Sequence, residues 1–539
     1  MLFRTIAVLF TLIGPLLATP MRRVSSPVVT LDKTPFIGVT QGPVTQYLGI
    51  PYAQPPIGNL RFEPPLPIPP YNASASINAI SYGSSCTQQT TPPSSAPPIP
   101  ANASVSAAFT INTNVQVAQA EDCLFINVVT PANTAPGSKL PVVIWIYGGA
   151  FQVGDTSKYN GSTIVAKSIT IGEPVVYVSM NYRQVIGSFN AFYSDREVTE
   201  REAMRWVQKY INQFGGDPNK VTIWGESAGA ISVAMQLVAY DGAHQNLFRA
   251  AFMQSGSPLP VGDITDGQHY FDTLVSQTNC STAFDKLACL KTVPYANLTA
   301  AINLSPSAYA YQSLIFPWVP RVDGNFLTQN PQQLVAEGKI ANVPFINGTY
   351  SFISATMKLT IKQTWIQDIW FPKAPSAAVE KILDLYTDDV TLGSPFNTGT
   401  ANNLTAQYKR IAAFQGDAWF HAGRRSLLHA RSGKQKMWSY VFKRFKTLPY
   451  FGSLHSSDNT AMYDLDDDMT NYLIYFVNNL NPNGGSALNW PQYTTSSPNM
   501  MTFLNSSSSA PLNITQDNFR QEGITYLQEL TGLYPLFTY

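Results

Sequence analysis

The chain has 539 residues, 45% of them hydrophobic and 12% aromatic, which supplies a large core and excludes intrinsic disorder. Its 34 basic and 33 acidic residues leave a net charge of +1, and no basic cluster stands out, so nucleic-acid binding has no electrostatic basis. Only 12% of residues are charged, roughly half the usual share, while Ser, Thr, Asn and Pro are plentiful, as in a secreted glycoprotein.

In chain order, Arg4, the apolar run 6–17 and the small residue Ala18 predict a signal peptide over residues 1–20 and hence a secreted, extracellular protein. That run is too short to span a bilayer, and no later stretch reaches the roughly 18 apolar residues a transmembrane helix needs. Ten N-x-S/T sequons, at Asn72, Asn102, Asn160, Asn279, Asn297, Asn303, Asn347, Asn403, Asn505 and Asn513, suit that route. The four cysteines allow two disulfides, and sequence alone permits three connectivities. Residues 90–106 form a Pro/Ser/Ala-rich run without charge, read as an exposed loop.

After that loop the pattern changes. Residues 125–129, 140–147 and 174–180 are apolar and rich in β-branched side chains, as expected of buried strands in a mostly parallel sheet. Residues 203–214 have helical spacing, with Met204, Val207, Tyr210, Ile211 and Phe214 on one side, and Gly215-Gly216 stops the helix. A short strand at 221–224 then runs into Gly225-Glu226-Ser227-Ala228-Gly229, followed by a helix-like run at 230–239. Strand, glycine turn and helix in that order are the setting a nucleophilic serine needs. The turn is so sharp that flanking side chains would clash, and the serine hydroxyl stands clear at the strand end.

Around that serine, the run from Phe214 to Ala230 resembles the nucleophile region of the type-B carboxylesterase/lipase family. Four further blocks match in order: Leu48-Gly-Ile-Pro-Tyr-Ala-Gln-Pro-Pro-Ile-Gly, Glu121-Asp-Cys-Leu-Phe-Ile-Asn, Trp145-Ile-Tyr-Gly-Gly-Ala-Phe and Met253-Gln-Ser-Gly-Ser-Pro. The run Gly393-Ser-Pro-Phe-Asn-Thr-Gly and the block around His455 most resemble the family's secreted fungal lipases. The resemblance covers nearly the whole chain after the leader. It implies a single α/β-hydrolase domain over residues 21–539, with a mostly parallel central sheet flanked by helices. It further implies disulfides Cys86–Cys123 and Cys280–Cys289, the first enclosing a loop similar to the lid of related lipases. That lid implies small-molecule or lipid ester substrates that are apolar or long-chain, with at most transient contact with lipid surfaces. Its few large apolar residues, Ile99, Val105, Phe109 and Ile111, predict weak interfacial activation. A choline-ester site would need an aromatic cage for the cation, and no tryptophan lies between Cys86 and Cys123.

Acyl transfer needs backbone donors aimed at the oxyanion, and the resemblance assigns them to the N–H groups of Gly149, Ala150 and Ala228. A general base is also required. Of the five histidines, His244, His269, His421, His429 and His455, only His455 lies in a matching block, and it follows the serine as the Ser, acid, His order demands. The third member is missing. Where the family carries an acidic turn after a strand like 343–349, this chain continues Tyr350-Ser-Phe-Ile-Ser-Ala-Thr-Met, with no carboxylate before Asp368. A second family block, expected within 183–203, is also absent, which predicts loose packing near Thr199 and Tyr350. Asp458 and Glu226 are the nearest substitutes, but each reads as structural, because an orienting acid must reach the far ring nitrogen from another segment. The acid is therefore unassigned. No metal and no cofactor are expected, since no His/Cys cluster has ligand spacing. The rival expectation is an esterase-like protein impaired by the missing acid and serving a binding role.

Overall fold

In the computed structural model the described residues are 26–90, 116–184, 195–308, 310–315, 317–350, 363–405, 407–465, 467–485, 487–505 and 507–538. The predicted leader, nearly all of the 90–106 loop, and residues 99, 105, 109 and 111 lie outside them.

Among the described residues, eleven strands form one sheet. Its centre is seven parallel strands, in spatial order Val176–Met180, Leu140–Ile146, Gly216–Glu226, Ala250–Gln254, Phe345–Tyr350, Met437–Phe442 and Asn499–Phe503. Antiparallel strands extend it at both ends: Phe125–Pro131, Val44–Pro51 and Val39–Gln41 on one side, Leu512–Gln516 on the other. The central strands are buried along almost their whole length. That explains why they read as continuous apolar runs and not as alternating ones. Helices cover the sheet, among them Gly161–Thr170, Asp195–Tyr210, Ala228–Gly242 and Asp467–Asn479. The expected α/β-hydrolase architecture is present.

Local expectations hold with shifted ends. The helix read at 203–214 begins at Asp195 and closes with a 3-10 turn, Ile211–Phe214. Gly215 ends it at φ 83°, and a Cβ there would sit 2.1 Å from Thr134 Cγ2, so glycine is required both for the backbone angle and for the approach. The strand read at 221–224 spans Gly216–Glu226. An aromatic cluster fills the space beneath its end: Trp145 and Trp224 are 4.2 Å apart, and Tyr463 stacks on Trp224 at 5.5 Å. Such offset contacts add to simple area burial.

Two disulfides are formed, Cys86–Cys123 and Cys280–Cys289, the pairing the family resemblance implies. The loose packing expected near Thr199 is not found. Thr199, Glu200 and Arg201 are buried, Arg183 Nε donates to Thr199 Oγ1 at 3.1 Å, and Arg201 donates to Gln236 Oε1 and the Ala243 carbonyl. Arginine reaches both acceptors through its multiple donors, which ties the helix Asp195–Tyr210 to the neighbouring helix Ala228–Gly242 and the residue that follows it. Tyr350 is likewise buried. Residues 185–194 and 351–362 lie outside the described residues.

Candidate active site

Ser227 sits between the strand Gly216–Glu226 and the helix Ala228–Gly242 with φ 56° and ψ −125°, a region sparsely populated for any side chain and costing about 1–3 kcal/mol. The two glycines make that turn possible. A Cβ on Gly225 would lie 2.4 Å from the Gly229 carbonyl oxygen, and a Cβ on Gly229 would lie 2.0 Å from the Ile146 carbonyl oxygen. The turn is pinned by Ser227 N–H donating to Gln254 O at 2.9 Å and Ile231 N–H donating to Ser227 O at 2.9 Å.

The structure brings His455 to this serine across 228 residues of sequence: His455 Nε2 lies 2.6 Å from Ser227 Oγ. The histidine is held on a tight loop in which Gly452 has φ 53° and Ser456 φ 69°. Its ring lies against Tyr350, centroids 4.7 Å apart, and Phe420, 4.8 Å. Burial among these rings pushes its pKa down to about 3, because the charged imidazolium loses water without gaining a counter-ion.

Nδ1 of His455 is buried and, among the described residues, has no hydrogen-bond partner. The substitutes weighed from sequence are accounted for elsewhere. Asp458 is fully buried and accepts from the Tyr440 hydroxyl at 2.9 Å; burial raises its pKa. Glu226 accepts from Ser456 Oγ at 2.6 Å and Asn459 Nδ2 at 3.0 Å, and its Oε1 is 3.6 Å from His455 Nε2, the nitrogen facing the serine. Burial, and then the nearby Asp458 carboxylate, push the Glu226 pKa up to about 8. Glu226 therefore ties the serine turn to the histidine loop, and neither carboxylate reaches Nδ1. Asp368 is exposed.

The turn after Leu140–Ile146 packs directly on the serine. A Cβ on Gly148 would be 2.8 Å from Ser227 Cβ. Gly149, Ala150 and Phe151 follow with φ 115°, 56° and 58°, and the turn closes through Gln152 N–H and Val153 N–H donating to Gly149 O at 2.9 and 3.0 Å. Among the described residues no hydrogen bond uses the N–H of Gly149, Ala150 or Ala228. Ala228 opens its helix, where the first N–H groups have no intrahelical acceptor and the dipole favours negative charge. Gln152 anchors the turn from outside: its Nε2 donates to Pro306 O and its Oε1 accepts from Ala308 N–H. No group of metal-ligating side chains occurs among the described residues.

The structure brings together Ser227, His455 and the glycine turn that the sequence singles out. The sequence does not mark the aromatic flanks of the histidine. Tyr350 closes a strand that was recognised, so its proximity was the one available signal; Phe420 carried none.

The model of the carboxylesterase family matches residues 25–521. Lipase 4 of Diutina rugosa is 38% identical over 519 residues, covering 88% of this chain and 91% of that protein. Secreted lipase 1 of Botryotinia fuckeliana is 36% identical over 553 residues, covering 95% and 93%. The crystal structure of Aspergillus niger EstA superimposes with a TM-score of 0.77 at 24% identity, covering 94% of this chain and 98% of that one, which establishes the shared fold. The chain belongs to the carboxylesterase family, whose members are carboxylic-ester hydrolases.

Proposed function

We propose that the protein is a secreted carboxylic-ester hydrolase acting on apolar esters through a serine acyl-enzyme. The observation that carries this reading is the 2.6 Å contact between His455 Nε2 and Ser227 Oγ, the geometry a nucleophile and its base need. His455 takes the Ser227 proton as Oγ attacks the ester carbonyl. The N–H groups of Gly149, Ala150 and Ala228 receive the oxyanion, and collapse expels the alcohol, which takes the proton from His455. Water then repeats the sequence on the acyl-enzyme and releases the acid. The names of the secreted lipases of Botryotinia fuckeliana and Gibberella zeae favour an extracellular destination and lipid esters. The testing experiment is hydrolysis of a nitrophenyl ester by Ser227→Ala. Turnover and labelling by a fluorophosphonate should both vanish while the melting temperature stays close to wild type, and unchanged turnover would refute the assignment.

A second reading is favoured by Nδ1 of His455, which has no hydrogen-bond partner among the described residues: an impaired esterase with a binding role. Loss of the orienting carboxylate costs roughly 10⁴ in rate in the serine-protease template. The two readings share the same nucleophile and differ in turnover, so kcat separates them.

A further inference from the structure

A second cavity, of about 110 Å³, opens beside the strand Met437–Phe442 and is lined by Phe396, His421, Lys443, Lys446, Phe519 and Arg520 among others. Its charges are unbalanced. Arg520 is neutralised by Asp417, with Nε to Oδ2 at 2.8 Å and Nη2 to Oδ1 at 2.5 Å. Lys443 and Lys446 have no carboxylate within ion-pair distance among the described residues. His421 is only 3% exposed, lines the cavity, and its Nδ1 has no partner among the described residues. Behind it lie Arg424 and Arg425, which share the single carboxylate of Asp517.

The walls are apolar. The Phe396 ring lies 3.8 Å and the Phe519 ring 4.7 Å from the Arg520 guanidinium carbon, so the guanidinium is fixed between ring faces. Pro395 and Val441 complete that wall. Burial, and then Lys446 and Arg520, hold the Lys443 ammonium below its ordinary pKa, as expected where half-buried cations crowd without a counter-ion. Nothing in the ester chemistry uses these groups.

We propose that this cavity binds an organic carboxylate, its head on Lys443, Lys446 and His421 Nδ1–H, its apolar or aromatic body against Phe396 and Phe519. Two ammonium groups suit the two oxygens of one carboxylate, and His421 Nδ1, without a partner among the described residues, is satisfied in its N–H tautomer when an acceptor enters. A hydrated inorganic anion would use the cations and make no apolar contact with the lining of Pro395, Phe396, Val441 and Phe519. The proposal does not depend on ester turnover.

The test is calorimetric titration of the full chain with benzoate, benzyl alcohol and inorganic phosphate, on wild type, K443Q/K446Q and the single variant K446Q. Both lysines are half-buried, and unchanged melting temperatures establish that the variants fold. Benzoate should bind wild type and weaken at least about ten-fold in the double variant, the scale of losing a buried charge partner. The single variant should be intermediate and remains informative if the double variant fails to fold. Because benzoate could also enter the ester site, equal affinity in wild type and variants would overturn the proposal. Equal binding of benzyl alcohol would overturn the anionic head, and phosphate binding more tightly than benzoate would overturn the organic class.

Discussion

Tyr350 stands beside His455 with ring centroids 4.7 Å apart, on the strand that in the family resemblance leads to the triad acid. An aromatic ring thus packs against the imidazole without a hydrogen bond between the two. The Tyr350 hydroxyl is buried without a hydrogen-bond partner among the described residues.

Removing only that hydroxyl should therefore matter little. Tyr350→Phe should keep kcat within about two-fold and the melting temperature near wild type, since the lost group makes no hydrogen bond among the described residues. Tyr350→Ala should destabilise by about 3–5 kcal/mol through the cavity left and lower kcat as the imidazole loses its wall. Equal kcat in the two variants, measured on a short nitrophenyl ester, would refute a positioning role for the ring.

Asp458 offers the complementary test. Its contact is with Tyr440, not with His455, and an amide oxygen can still accept from that hydroxyl. Asp458→Asn should therefore leave kcat/KM within a few-fold of wild type. A fall of about 10³ or more would show that the carboxylate supports the imidazole after all, because that is the scale of losing a triad acid.

What could be read from sequence was what is local. The serine turn was legible because strand, glycines and helix are consecutive, and the clashes of Gly225 and Gly229 involve the turn itself and the strand Leu140–Ile146 that closes on it. His455 was legible only through resemblance, since nothing near it in the chain marks it from four other histidines. The flanks by Tyr350 and Phe420 depend on the parallel register that sets Tyr350 opposite Phe442 and on the helical segment Asp417–His421, about 70 residues further along the chain from Tyr350; periodicity carries no such information. The charged cavity was illegible for the same reason: Phe396, His421, Lys443 and Arg520 come from four separate segments.

Glu226 and His455 predict opposite pH responses of stability. The folded Glu226 carboxyl stays protonated up to about 8, whereas unfolded it ionises near 4.5, so its contribution is fully present below 4.5 and is lost as pH rises to 8. His455 is neutral when folded down to about 3 and protonates near 6.5 when unfolded, so stability is lost as pH falls from 6.5 to 3. Glu226→Gln removes only the first term. Thermal melts should show the variant gaining on wild type at pH 8 and not at pH 4. A gap that does not change between those pH values would mean that Glu226 is ionised in the fold.

The glycines of the serine turn can be tested sterically. Gly229→Ala puts a methyl about 2.0 Å from the Ile146 carbonyl oxygen, backbone against backbone, so the strand or the helix must move, and both activity and soluble yield should collapse. Gly532→Ala is the control, because a Cβ there meets nothing within 4 Å and sits inside the helix Gln521–Leu533. It should be neutral or stabilising by about 0.5–1 kcal/mol. Comparable soluble yield and melting temperature for the two variants would contradict the account of the turn.

Asn347 separates sequon from acceptor. It lies within Phe345–Tyr350, opposite Met253 on one side and Ser439 on the other, and is fully buried. Its Nδ2, the atom a glycan would occupy, donates to the Gly256 carbonyl at 2.7 Å, while its backbone carbonyl accepts from Ser439 Oγ at 2.9 Å. A glycan here would break the first bond and force sugar into the middle of the sheet, so chains modified at this site cannot reach the fold. Asn160 is different: it is exposed, and its Oδ1 caps the helix Gly161–Thr170 through Ser162 N–H at 3.1 Å, leaving Nδ2 free to carry sugar without loss of the cap. Folded protein purified from a eukaryotic secreting host should give an unmodified Asn347 peptide by mass spectrometry. Enzymatic deglycosylation in heavy-oxygen water should convert asparagine to labelled aspartate at exposed sequons such as Asn160, and never at Asn347. A labelled Asn347 peptide from active, soluble protein would refute the placement of that strand at the centre of the sheet.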